Sequence, residues 1–67
     1  MEKETERIIE KIRTTRIEKK ISLLSMANDA GISHSHLYYI ENKKVIPSVD
    51  VMIKLIKALG LKPKDMF

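Results

Sequence analysis

Residues 23 to 41 read LLSMANDAGISHSHLYYIE, and the spacing inside this stretch decides the fold. Ser22 stands just ahead of the apolar-periodic run Leu23, Leu24, Met26, Ala27 and Ala30, in the position where a hydroxyl accepts from the first free amides of a helix. Gly31 follows at once and supplies the left-handed backbone that ends a helix without a Cβ clash. Ser33 then offers a second cap, ahead of His34 to Glu41 with Leu37 and Ile40 three residues apart. Two short helices joined by a turn at Gly31 and Ile32 are therefore predicted. Helices of this length are marginal alone in water, so they must lean on each other and on a third element. Ala27 and Ala30 are small enough to let the backbones approach closely.

Working outward, the segment from about Thr5 to Lys20 is rich in helix formers, and Ile8, Ile9 and Ile12, joined by Ile17, give it an apolar side. Glu6 and Glu10 alternate with Arg7, Lys11 and Arg13 on its other faces, where pairs three or four residues apart support a solvated helix. Residues 1 to 5 are expected to fray. Beyond Glu41, the run NKKVIP is a loop, since Pro47 blocks a regular helix. Ser48 caps a fourth helix from Val49 to Leu59 whose inward stripe is Met52, Leu55, Ile56 and Leu59, and Gly60 stops it. LKPKDMF allows one more turn from Pro63, with Met66 and Phe67 closing over the core. With no repeat, low-complexity tract or long linker, residues 1 to 67 are expected to form one all-α domain, a compact bundle of four to five helices.

Composition narrows the function classes. So short a chain buries only about 60% of the surface it exposes when unfolded. It has no cysteine, so neither disulfides nor a Cys-based zinc site can stiffen it. No stretch approaches the roughly 18 apolar residues of a membrane span, and MEKETER at the start is charged, so a soluble cytoplasmic protein is expected. The nine acids show no carboxylate-pair spacing and two glycines form no phosphate-cradling loop, which argues against an enzyme. His34 and His36, two residues apart on a helix, diverge and have no partners to complete a metal set. No metal, cofactor or small-molecule ligand is predicted. The net charge is +4, and its distribution is uneven: residues 1 to 31 hold seven basic and six acidic side chains, residues 32 to 67 six and three. That excess suggests a polyanion partner.

The stretch from Leu23 to Glu41 meets the physical requirements of a helix-turn-helix. Ala27 is small at the helix crossing, Gly31 lies in the turn, Ile32 follows it, and Leu37 and Ile40 line the inner side of the second helix. Such a pair projects its second helix as a rod that fits a major groove roughly 12 Å wide.

At this point the chain resembles the bacterial and phage repressors of the Cro, lambda-repressor and Xre type, over residues 8 to 67. The resemblance is carried by IRTTR near the end of the first helix, KKIS before the second, MANDAGIS across the turn, LYYIENKK from the third helix into the loop, and IPSVD with ALGL around the fourth. It implies a five-helix, lambda-repressor-like domain that binds operator DNA as a homodimer. It further implies that His34, Ser35 and Tyr38 face base edges, with Tyr39 flanking. Asn42, Lys43 and Lys44 would lie along the phosphates, joined by Arg13 and by the helix starts at Ser22 and Ser33, which suit an anion. Arg16 and Glu41 would form a partly buried ion pair that fixes the angle of the reading helix. Two positions depart from the family pattern. Leu23 replaces a frequent Gln, removing one phosphate contact, and Lys43 stands where glycine is common, which puts the usual tight turn in doubt.

A surplus of apolar residues at Val45, Ile46, Ile53, Ile56, Met66 and Phe67, with Leu24, suggests self-association. Two readings of function follow. The first is a sequence-specific double-stranded DNA-binding regulator, a repressor on a pseudo-palindromic site. The alternative is a protein-interaction module on the same scaffold, an antitoxin-like or anti-repressor partner. The outward side of residues 34 to 44 favours the first, being polar and basic with Glu41 assigned inward. No ligand-sensing segment is attached, so control is expected through concentration, dimerisation or an external partner.

Overall fold

In a computed structural model, which describes residues 2 to 66, the chain is all-helical. Four α-helices run in order: α1 (Lys3–Glu18), α2 (Leu23–Ala30), α3 (His34–Glu41) and α4 (Val49–Ala58), followed by a 3-10 turn at Pro63–Asp65. Helix α1 begins two residues before the predicted Thr5, with Glu2 at its N-cap position. The starts of α2, α3 and α4 are set by serine: Ser22, Ser33 and Ser48 each accept, through the hydroxyl oxygen, from the amide three residues on. One otherwise unpaired amide per helix start is satisfied in this way.

All four α-helices close alike. A left-handed residue follows the last turn, at Lys20 (φ 58°), Gly31 (73°), Lys43 (60°) and Gly60 (77°). The next residue then donates its N–H back across that turn, Ile21 to Arg16, Ile32 to Ala27, Lys44 to Tyr39 and Leu61 to Ile56, at 2.8 to 3.2 Å. These are Schellman closures, which satisfy carbonyls that a helix end leaves bare. Gly31 needs only its conformation: a Cβ there would meet nothing within 4 Å. The doubt about the turn at Lys43 is thus corrected. The tight turn is kept with a lysine in the left-handed position, although a side chain there costs about 1 to 2 kcal/mol of backbone energy.

The core gathers one stripe from every helix: Ile8, Ile9 and Ile12 of α1, Met26, Ala27 and Ala30 of α2, Leu37 and Ile40 of α3, and Met52, Leu55 and Ile56 of α4, with Leu59 and Met66 closing it. Helix α2 packs on α3 and α4, and α1 packs on α3. Ile17 departs from expectation by being exposed. Five residues beyond Ile12 it is rotated by about 140°, off the buried stripe. Two of the residues expected to serve self-association, Ile56 and Met66, are corrected likewise, because both are buried in the chain's own core and have no surface left to offer. Phe67 lies outside the described residues. Lys19 adds a link across the fold, its ammonium donating to the carbonyl of Leu59 at 2.7 Å. A cation is thereby set at the electronegative end of α4.

Candidate nucleic-acid interface

The orientation of α3 follows from what its inner side binds. Leu37 and Ile40 are buried in the core, and Glu41, at the last turn, is buried with them. A lone buried carboxylate would be costly. Here Arg16 of α1 meets it with one edge of its guanidinium, Nε donating to Oε2 at 2.8 Å and Nη2 to Oε1 at 2.9 Å. The third arm, Nη1, donates to the carbonyl of Ile21 at 2.8 Å. One guanidinium therefore ties the end of α1, the loop after it and the end of α3. No buried side-chain nitrogen or oxygen among the described residues lacks a hydrogen-bond partner.

With its inner side fixed, α3 turns the rest outward. His34, Ser35, His36, Tyr38, Tyr39 and Asn42 are all exposed. Ser35, Tyr38, Tyr39 and Asn42 recur at helical spacing and make one ridge, with His34 beside its leading end. The Tyr38 and Tyr39 rings meet edge to face, with centroids 5.8 Å apart, so the two tyrosines brace one another although their side chains leave the helix in different directions. No acidic residue lies on this ridge. Among the described residues no three His, Cys, Asp or Glu side chains come together as a metal site.

The remaining candidates are placed unequally. Ser22 and Ser33 sit exposed at the starts of α2 and α3, their hydroxyls engaged as acceptors by the amides of Ser25 and His36. Asn42 uses one amide hydrogen on the carbonyl of Tyr38 at 2.9 Å, capping α3, which leaves one hydrogen to reach outward. Lys44 makes no ion pair among the described residues, whereas Lys43 donates to Glu10 of α1 at 3.1 Å. Arg13 lies 3.6 Å from the other oxygen of the same carboxylate. The Lys43 to Glu10 contact bridges 33 residues and left no local spacing by which the sequence could have signalled it. Leu23, where the family often has Gln, is half-buried against the core. Leucine there extends the apolar packing of α2.

A family model described as helix-turn-helix matches residues 12 to 66, nearly the whole bundle. The chain belongs to the Cro, lambda-repressor and Xre type of helix-turn-helix family. No match was found among curated proteins or solved structures. As a member of a family of DNA-binding regulators, this helix-turn-helix protein has α2 and α3 as its motif, with Gly31 and Ile32 in the turn. No helix among its described residues is long and apolar enough to cross a membrane.

Proposed function

We propose that this helix-turn-helix protein is a transcriptional regulator that reads double-stranded DNA with α3 in the major groove and represses by occupying a pseudo-palindromic site as a homodimer. The observation that carries the reading is the two-sidedness of α3. Its inner side is locked by Leu37, Ile40 and the Arg16 to Glu41 pair, while its outer ridge is exposed, polar and free of acids. His34, Ser35 and Tyr38 are assigned to base edges, where a hydroxyl or imidazole can donate and accept and a tyrosine ring can lie against a thymine methyl. Ser22, Ser33, Tyr39, Asn42, Lys44 and Arg13 are assigned to phosphates, and these contacts set register without reading sequence, whereas Lys43, paired with Glu10, is not counted among them. Residues 1 to 67 act as one binding unit, in the cytoplasm where transcription takes place, without enzymatic activity, metal or cofactor.

Dimeric binding is supported by size and by surface. The longest extent of the described residues is 27 Å, so a site with half-sites roughly 34 Å apart, in successive major grooves on one side of the duplex, would need two copies. Val45, Ile46 and Val49, the last two being 70% and 67% exposed, line the loop and first turn after α3, with half-buried Ile53 one turn further along α4. We assign this patch to the second copy. Its exposure also suits the alternative reading, a module that binds another protein.

A titration of the purified chain against a randomised duplex pool, across a range of salt, tests the proposal. Enrichment of an inverted repeat, with affinity falling steeply as salt rises, is expected. No retention at low salt would replace it with the protein-interaction reading.

A further inference from the structure

The two long-range ion pairs of α1 differ in kind. Arg16 to Glu41 is buried and bidentate, as a structural tie requires. Lys43 to Glu10 is exposed, with 38% and 46% of the side chains accessible, and solvated pairs of this sort shift an equilibrium by no more than about fivefold. As a brace it does little. Yet Lys43 occupies a left-handed position that glycine would fill without strain, so a side chain stands there against the local preference of the backbone. The carboxylate that receives it also lies 3.6 Å from Arg13. One acid thus draws in two of the cations nearest the exit of α3, while Lys44, the next residue, has no such partner among the described residues.

We propose that Glu10 restrains the DNA affinity of the chain by holding Lys43 away from the phosphate backbone, leaving Lys44 to make the contact at the exit of α3. The inference rests on the reading that this exit lies along the duplex. Glu10 is then a positioning residue that touches no nucleotide. A weak, solvated pair is suited to the task, because its strength is comparable to a single phosphate contact and either can displace the other as salt changes.

The test compares the wild-type chain with Glu10→Gln, Lys43→Gln, Lys44→Gln and the double variant Glu10→Gln/Lys43→Gln, with Asp65→Asn as a charge control remote in sequence. Binding to a duplex recovered from the randomised pool is measured from low to moderate salt, and thermal unfolding is recorded for each. Glu10→Gln is expected to tighten binding about two- to fivefold at low salt and to steepen the log-log salt slope by up to about 0.9, the release of one further counterion. Lys43→Gln stays within about twofold of wild type, Lys44→Gln weakens binding more, and the double variant loses most of the Glu10→Gln gain. Asp65→Asn gives a smaller gain with no change of slope. An equal gain from Glu10→Gln with or without Lys43 would overturn the proposal in favour of a general charge effect. A lowered melting temperature with an unchanged slope would overturn it in favour of a brace. Failure of the wild-type chain to retain any duplex overturns the DNA-binding reading and this one together, whereas binding without the coupling overturns this one alone.

Discussion

Helices α2 and α4 close on glycine in the left-handed region, at Gly31 and Gly60, whereas α1 and α3 close on lysine in the same conformation, at Lys20 and Lys43. The hydrogen bonding is the same in all four, so the residue type is not what makes the closure. What differs is the surroundings. Helices α2 and α4 pack against one another largely through apolar side chains. Helices α1 and α3 are joined at their ends by Arg16 and Glu41, and their exits carry Lys19, Lys20, Lys43 and Lys44. Glycine thus stands at the exits of the helices held mainly by apolar packing, and lysine at exits that carry positive charge. A cation past a helix C-terminus also meets the negative end of the helix dipole, which offsets part of the strain.

The contrast is broken most severely at the buried pair. Arg16→Met leaves Glu41 without its partner in the core and is expected to destabilise the chain by about 3 to 5 kcal/mol, most of what so small a domain possesses. Urea denaturation would show it, and a loss below about 1 kcal/mol would mean that water replaces the guanidinium. DNA binding lost in that variant reports unfolding and says nothing of a DNA contact.

Next in size is the glycine exit within the motif. Gly31→Ala meets open space but keeps a left-handed φ, so a loss of about 1 to 2 kcal/mol is expected from conformation alone. Equal stability of Gly31→Ala and wild type in the same denaturation would show that the backbone relaxes, and that the two kinds of exit are not distinct. Ser33→Ala removes the acceptor for the His36 amide and should cost about 1 kcal/mol, read from the shift in denaturation midpoint.

The smallest effect runs in the opposite direction. Lys20→Gly relieves a left-handed side chain and should stabilise by a few tenths to about 1 kcal/mol, after the greater freedom glycine gives the unfolded chain is subtracted. A destabilised Lys20→Gly would indicate that the lysine, through its stem or its charge on the helix end, contributes more than its backbone strain removes.

Much of this fold was legible locally. Ser22, Ser33 and Ser48 mark three helix starts because a cap joins residues only three apart, and Gly31 marks an exit because one dihedral angle decides it. The outward ridge of α3 was legible too, since burial of Leu37 and Ile40 fixes which side His34, Ser35 and Tyr38 take. The exits at Lys20 and Lys43 were not legible, because lysine carries no preference for the left-handed region. Helical period and the terminal turn already place Ile56 and Met66 inward, but neither shows that Ile17 is exposed or that Ile56 and Met66 leave nothing for a partner: an apolar residue can serve a core or a surface, and only the neighbouring helices select between them.

Local patterns in the chain therefore specify the all-helical class, the order of elements, the helix-turn-helix and the polar side of its second helix. Each depends on capping, turn chemistry or helical period, which act within a few residues. Long-range packing alone sets Lys43 turning back to Glu10, while Lys44 has no such partner among the described residues, and Lys19 reaching the end of α4. These contacts link residues 33 and 40 positions apart, and they form because the packed core brings α1 beside the exits of α3 and α4.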